Sequence, residues 1–235
     1  MHTSWETSES AEAYSRETAA AQWKPMGYPE VFRSLDLTGA DDRPLLDFGC
    51  GPGFVAHYAA EEYGRNVIGV DVSGSMIEYA TAHYDHPLVS YREIPISGGL
   101  DFLASEEIGA CMSCFVFMQM PSTELQVDAC RQIRRVLTPG GRFAMLNTHP
   151  GSVGVQFSTL RNGEAGRAYL PGDPMVTSLR TANGSLTLRD FFWRVEDYAH
   201  AMEAGGFRDV AIEHLPPPPA DPTPHPQFLL LSGRA

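Results

Sequence analysis

From residue 44 to residue 147 short apolar runs alternate with segments of helical periodicity, and this alternation restricts the fold more than any other feature of the chain. Pro44 to Phe48 reads as a strand running into a glycine-rich bend. Phe54 to Tyr63 reads as a helix closed by Gly64. Asn66 to Val70 is a second strand ending at Asp71, followed by a helix from Ser73 to His83 with Met76, Ile77 and Ala80 on one face. Val89 to Glu93 is a third strand, and Ile108 to Phe117 is a long apolar run that reads as the most buried one. Thr123 to Leu137 carries Leu125, Ala129, Ile133 and Val136 at helical spacing. Thr138 to Gly141 is a turn before a fifth strand, Arg142 to Leu146. Strands that alternate with helices form βαβ units, which build a parallel sheet with helices on both faces.

Beyond residue 148 the pattern changes. His149 to Pro174 is rich in Gly, Ser and Pro without a clear period. Val176 to Leu188 alternates around Asn183-Gly184, a hairpin signal. Val195 to Ala204 is helical and stops at Gly205-Gly206, and Phe207 to His214 alternates as a strand. Pro216 to Pro219 is a rigid connector, and Gln227 to Gly233 is a closing strand. At 235 residues the chain fits one domain with an elaborated edge.

A formal net charge of -12 disfavours a nucleic-acid partner, because affinity for a phosphate backbone is built from Lys and Arg. No apolar stretch is long enough to span a bilayer, and the polar, acidic N-terminal stretch predicts no secretory leader. Cys50, Cys111, Cys114 and Cys130 lack the spacing of a disulfide framework, so free thiols and a cytoplasmic location are expected. Cys111 and Cys114 are three apart within a strand and point to opposite faces, so they predict no shared metal. No metal is expected, and the sequence leaves the oligomeric state open.

The segment Leu45-Leu-Asp-Phe-Gly-Cys-Gly-Pro-Gly53 carries the most chemistry. Glycines at 49, 51 and 53 leave a strand-to-helix bend without Cβ atoms, so a ligand can approach the main chain and meet its N–H groups. Phe54 stands where a dinucleotide fold would want its third glycine. Asp71 ends the neighbouring strand, where its carboxylate can receive both hydroxyls of a ribose; alternatively it only caps the helix that begins at Val72.

LLDFGCGPG, VIGVDVSGSMIEYA, LTPGGRFAML and YAHAMEAGGFRDVAIEHL together resemble the class I S-adenosylmethionine-dependent methyltransferase family, of the small-molecule type. The resemblance implies a doubly wound, Rossmann-like α/β fold with a mostly parallel seven-stranded sheet whose last strand is antiparallel. It implies a helical cap at residues 1–40 and a methyltransferase domain at 41–235, with 149–193 inserted as a substrate lid. The cofactor implied is S-adenosyl-L-methionine, leaving as S-adenosyl-L-homocysteine. Gly49, Gly51 and Gly53 would face its methionyl end, Asp71 its ribose, and Val72 and Met76 its adenine. Glu93 and Ile94 match the stretch that reads the adenine edge, although the family more often has Asp there. Cys114 and Phe115 match the strand end whose carbonyls meet the cofactor's amino group. Tyr14 would reach the methionyl carboxylate or gate the site, or else only pack within an amphipathic helix.

Methyl transfer is an in-line displacement that needs alignment and exclusion of water, and a base only where the nucleophile starts protonated. His149, just past the fifth strand, is either such a base or a solvent-facing residue before Pro150. Phe191 and Trp193 would floor an apolar substrate pocket or pack the hairpin. Phe117 and Gln119 follow the fourth strand, with Gln119 placed to orient a substrate oxygen. The expected activity is transfer of a methyl group to an O, N or C atom of a small molecule. The alternatives are a cyclase or other non-methylating enzyme on the same cofactor fold, a protein or RNA methyltransferase, and a sensor of the nucleoside.

Overall fold

The computed structural model describes residues 27–37, 42–181, 184–219, 221 and 223–235. Its main sheet comprises β1 (Leu45–Phe48), β2 (Val67–Asp71), β3 (Val89–Glu93), β4 (Ile108–Cys114), β5 (Leu137–Thr148), β9 (Arg208–Leu215) and β10 (Phe228–Arg234). Their order is β3-β2-β1-β4-β5-β10-β9. β1 to β5 pair in parallel, and β10 runs antiparallel to both β5 and β9. Central strands are covered on both faces and carry continuous apolar runs: every residue of β1 is buried, and β4 is buried from Ile108 to Ser113. The edge strand β3 is largely exposed.

Four helices connect these strands: α2 (Phe54–Tyr63), α3 (Gly74–His83), α4 (Thr123–Val136) and α5 (Val195–Ala204). An earlier helix, α1 (Tyr28–Leu35), buries Tyr28, Val31, Phe32 and Leu35, the i, i+3, i+4, i+7 stripe of an amphipathic helix. It packs on β5, β4 and β10, and Phe32 meets the rings of Tyr58 and Tyr63 at 5.6 and 5.2 Å. Tyr14 and most of the expected cap at residues 1–40 lie outside the described residues.

The chain winds outward from β1 to β3 and returns to start β4 beside β1. Loops leaving β1 and β4 therefore diverge, and a crevice opens between them at the carboxyl edge of the sheet.

Two strand ends differ from the sequence expectation. β4 stops at Cys114 because Phe115 takes φ +61° and turns the chain into a short 3-10 helix at Phe117–Gln119. Thr138 to Gly141, expected as a turn, lies within β5. Gly140 takes a left-handed φ of +78°, yet its N–H donates to Ala235 O at 3.0 Å and the Ala235 N–H donates to Gly141 O at 2.8 Å. Ala235 thus holds these turn-forming residues in the ladder as an irregularity in the β4–β5 register.

A second, antiparallel sheet forms from β6 (Leu160–Asn162), β7 (Pro174–Thr181) and β8 (Gly184–Phe191). The hairpin is longer than its alternation alone suggests, pairing from Pro174↔Phe191 to Thr181↔Gly184. Trp193 ties it to the main body by donating from Nε1 to Met120 O at 3.1 Å. Ser158 donates from its N and its Oγ to the two oxygens of Asp221, each at 2.7 Å.

Candidate active site

The bend after β1 is held from behind by main-chain bonds. Gly49 N and Cys50 N both donate to Val70 O, at 2.8 and 2.9 Å. Gly49, Gly51 and Gly53 all take positive φ, at 79°, 51° and 91°. A Cβ at Gly49 would stand 2.2 Å from Val116 Cγ2, so glycine is needed for close approach as well as for conformation. Gly53 caps α2 and backs onto α3 and β3, where a Cβ would meet Ala80 and Tyr91 at 2.7 Å.

Asp71 grips this bend. Its Oδ2 accepts from Gly51 N at 2.8 Å and its Oδ1 from Ser73 N at 2.9 Å. Burial pushes its pKa up, and the backbone N–H donors at Ser73, Gly51 and Val72 oppose that. Asp71 thus both orders the loop and supports the start of α3, where Ser73 Oγ caps Met76 N. Beneath it, Asp47 is buried with Oδ2 unpartnered, and burial plus the Asp71 charge push its pKa up to about 8.

A cavity of about 470 Å³ lies over this bend, within the size range of small-ligand sites. Gly49, Gly51 and Asp71 line its floor, with Val72 and Met76 beside them. Ile94, Ile96, Ser97 and Gly98 form the side beyond β3. Cys114, Phe115 and Val116 close the β4 side, and Gln119, Met120 and Pro121 continue it. Arg189 and Phe191 enter from β8. The structure therefore gathers ten of the sequence-derived candidates around one space: Gly49, Gly51, Asp71, Val72, Met76, Ile94, Cys114, Phe115, Gln119 and Phe191.

Other candidates stand apart from that lining. Gly53 supports the loop from behind. Glu93 is exposed, with its carboxylate against the start of α3 near Gly74. Phe117 is fully buried, its ring centroid 6.4 Å from that of Phe48 and 6.0 Å from that of Phe143. Trp193 is buried behind Met120.

His149 is buried, so the solvent-facing alternative is corrected. Its Nδ1 accepts from Gly151 N at 2.9 Å, which leaves the proton on Nε2, 2.7 Å from His214 Nδ1. Burial first, and His214 second, push its pKa down to about 4. Both ring nitrogens are engaged within the fold, and the residue is absent from the cavity lining described here.

Sequence reasoning missed Arg189, Val116 and the Ile96–Gly98 turn. The alternation of β8 does signal Arg189, because it shares a strand face with Phe191. His214 carries no local signal; it meets His149 only through the packing of β9 and β10 beside β5.

The crevice offers main-chain groups, a carboxylate and apolar side chains, the chemistry that S-adenosylmethionine asks of a site. Its floor has a Cβ-free main chain at Gly51, with nothing within 4 Å of where a Cβ would stand. A carboxylate with two main-chain bonds still has lone pairs for ribose hydroxyls, and apolar Val72, Met76 and Ile94 suit a purine. Among the described residues no helix is long and apolar enough to cross a membrane, and no three His, Cys, Asp or Glu cluster as a metal site.

Residues 45–141 match the family model described as a methyltransferase domain. The chain is 64% identical over 238 aligned residues to N-demethylindolmycin N-methyltransferase of Streptomyces griseus, covering 100% of both chains. It superposes on the methyltransferase CcbJ from Streptomyces caelestis with a TM-score of 0.65 at 19% identity, covering 90% of each chain. The sugar N-methyltransferase KedS8 from a Streptoalloteichus species gives a TM-score of 0.64 at 19% identity, covering 95% of this chain and 91% of that one. At such identities the two structures speak for the fold alone; the Streptomyces griseus relative carries the family. The chain belongs to the class I S-adenosylmethionine-dependent methyltransferases.

Proposed function

We propose that this enzyme transfers the methyl group to a nitrogen of a small natural product, N-demethylindolmycin or a close analogue. The observation that carries the reading is 64% identity across the full length of a relative named for that reaction. When bound, S-adenosylmethionine supplies an electrophilic methyl on a sulfonium.

The residues of the chain do the positioning. Gly49 and Gly51 present bare main chain to the methionyl end, and Asp71 holds the ribose. Val72, Met76 and Ile94 flank the adenine, and Cys114 and Phe115 border the amino end. Phe191, Gln119 and Met120 give the acceptor an apolar wall with one amide. This division keeps the reacting atoms in line and away from water, which is what the reaction most needs.

The cavity's chemistry supports a nitrogen acceptor. Among its described lining residues only Asp71, Cys114 and Arg189 have ionisable side chains, and a guanidinium cannot serve as a base. Asp71 is engaged by Gly51 and Ser73, and burial pushes the Cys114 thiol well up. A nitrogen that arrives with a free lone pair needs no base before attack and can lose its proton to solvent afterwards. A cytoplasmic setting is part of the same proposal and suits the free cysteines.

Purified protein incubated with N-demethylindolmycin and S-adenosylmethionine should yield S-adenosylhomocysteine and a product heavier by one methylene. Fragment spectra should place the gain on nitrogen. No product, or a methyl on oxygen or carbon, would remove the reading.

A further inference from the structure

Strand β8 gives the cavity two side chains, Arg189 and Phe191, while Leu188 and Asp190 are buried on its other face. Residues two apart on a strand share a face, so the register that buries Asp190 is the one that aims Arg189 at the cavity. The guanidinium carbon lies 5.7 Å from the Phe191 ring centroid, close enough for a cation–π contact that restricts it. Among the described lining residues Arg189 is the one cationic side chain, at the exposed rim of a cavity in a chain of net charge -12. The wall opposite, with Val116, Met120, Pro121 and Leu125, is apolar but for the Gln119 amide. An acceptor lying along that wall meets one cationic hydrogen-bond donor, and it comes from β8.

We propose that Arg189 determines acceptor specificity: it orients the methyl acceptor by donating to a carbonyl oxygen, while Phe191 lies against the acceptor's planar body. The inference rests on reading this cavity as the joint site for cofactor and acceptor. A guanidinium has five N–H donors in a planar fork, so contacts on one edge leave others for an sp² oxygen. Phe191 and the guanidinium together match a flat molecule with a polar edge. Arg189 acts here as a positioning residue and takes no proton.

The test uses protein saturated with S-adenosylhomocysteine and titrated calorimetrically with two planar probes, indole-3-carboxamide and 3-ethylindole. The ratio of their affinities isolates the carbonyl. In R189Q that ratio should fall about fivefold in the direction of the oxygen-free probe, and R189K should retain part of the preference. S-adenosylhomocysteine affinity should stay within about twofold, which also shows that the variants are folded. An unchanged ratio in R189Q overturns the proposal. So does an R189Q that loses S-adenosylhomocysteine affinity, since the guanidinium then serves the cofactor's carboxylate. In turnover with N-demethylindolmycin, R189Q should raise KM about tenfold with a smaller change in kcat. If the natural protein does not methylate that compound, the nitrogen-acceptor reading fails, while the binding ratio still decides the role of Arg189.

Discussion

The two walls of the cavity are built differently. The side we propose for the nucleoside consists of main chain: a bend at residues 49–53 hung on Val70 O, and a carboxylate that binds N–H groups at positions 51 and 73. The side we propose as a lid hangs on a three-stranded sheet whose interior is partly polar. There Thr177 Oγ lies within hydrogen-bond reach of both Asp190 and Asn162 Oδ1, the latter at 3.2 Å. Thr177 Oγ donates to the Asp190 carboxyl group. Burial pushes the Asp190 pKa up to about 7, and the Thr177 hydrogen bond works to lower it. The nucleoside wall thus owes its shape to bonds that any ligand leaves intact. The lid owes its shape to a buried acid that titrates near neutrality, which makes it the wall that pH can loosen.

The largest expected effect falls on the nucleoside wall. Gly49→Ala would place a methyl 2.2 Å from Val116 Cγ2 at φ +79°, so both overlap and backbone strain apply. A loss of about 3 kcal/mol is expected, or a thermal midpoint about 10 °C lower. A midpoint within a degree of the natural protein would show that this bend yields more easily than its packing indicates.

A smaller, pH-dependent effect belongs to the lid. An unfolded aspartate releases its proton near 3.8, whereas Asp190 holds it to about 7. Between those values the folded state binds more protons, so this group's contribution to stability falls as pH rises. Asp190→Asn mimics the protonated acid and should raise the midpoint at pH 8 by about 5 °C, and by less than half as much at pH 5. Asp47, held to about 8, acts in the same direction and should leave a residual slope in that variant. A gain equal at both pH values would mean that Asp190 is not the titrating group.

His149 should matter least for turnover. It stays neutral in the fold down to about pH 4, so between 4 and 6.5 it adds stability as pH rises. His149→Ala should flatten that acid limb and leave kcat within about twofold. A hundredfold loss of kcat with cofactor affinity intact would restore it as a base.

What could be read from the chain follows the same division. α2, β3 and α5 lie between the residues that local periodicity marks, and the glycine bend was legible because positive φ and close approach are local demands. The irregular start of β5 was not, because the pairing that keeps Thr138 to Gly141 in the ladder comes from Ala235. β6 is three residues long and exists only through its partner β7. Phe117 and Trp193 looked like pocket aromatics from their neighbours in sequence. The φ of Phe115 and the anchor at Met120 turn them into the core instead. A charged residue in a hairpin reads as solvent-facing, so Arg189 passed unnoticed beside Phe191.

Calorimetric titration of S-adenosylhomocysteine into Asp71→Asn, beside the natural protein, bears most directly on the account. Asparagine keeps the size and one acceptor but removes the charge that ribose hydroxyls and the Gly51 and Ser73 N–H groups share. Affinity should drop at least about tenfold, and the thermal midpoint should fall by a few degrees because one of the two main-chain N–H bonds is lost. An affinity equal to that of the natural protein would mean the nucleoside is held elsewhere, and the assignment of this crevice would fall.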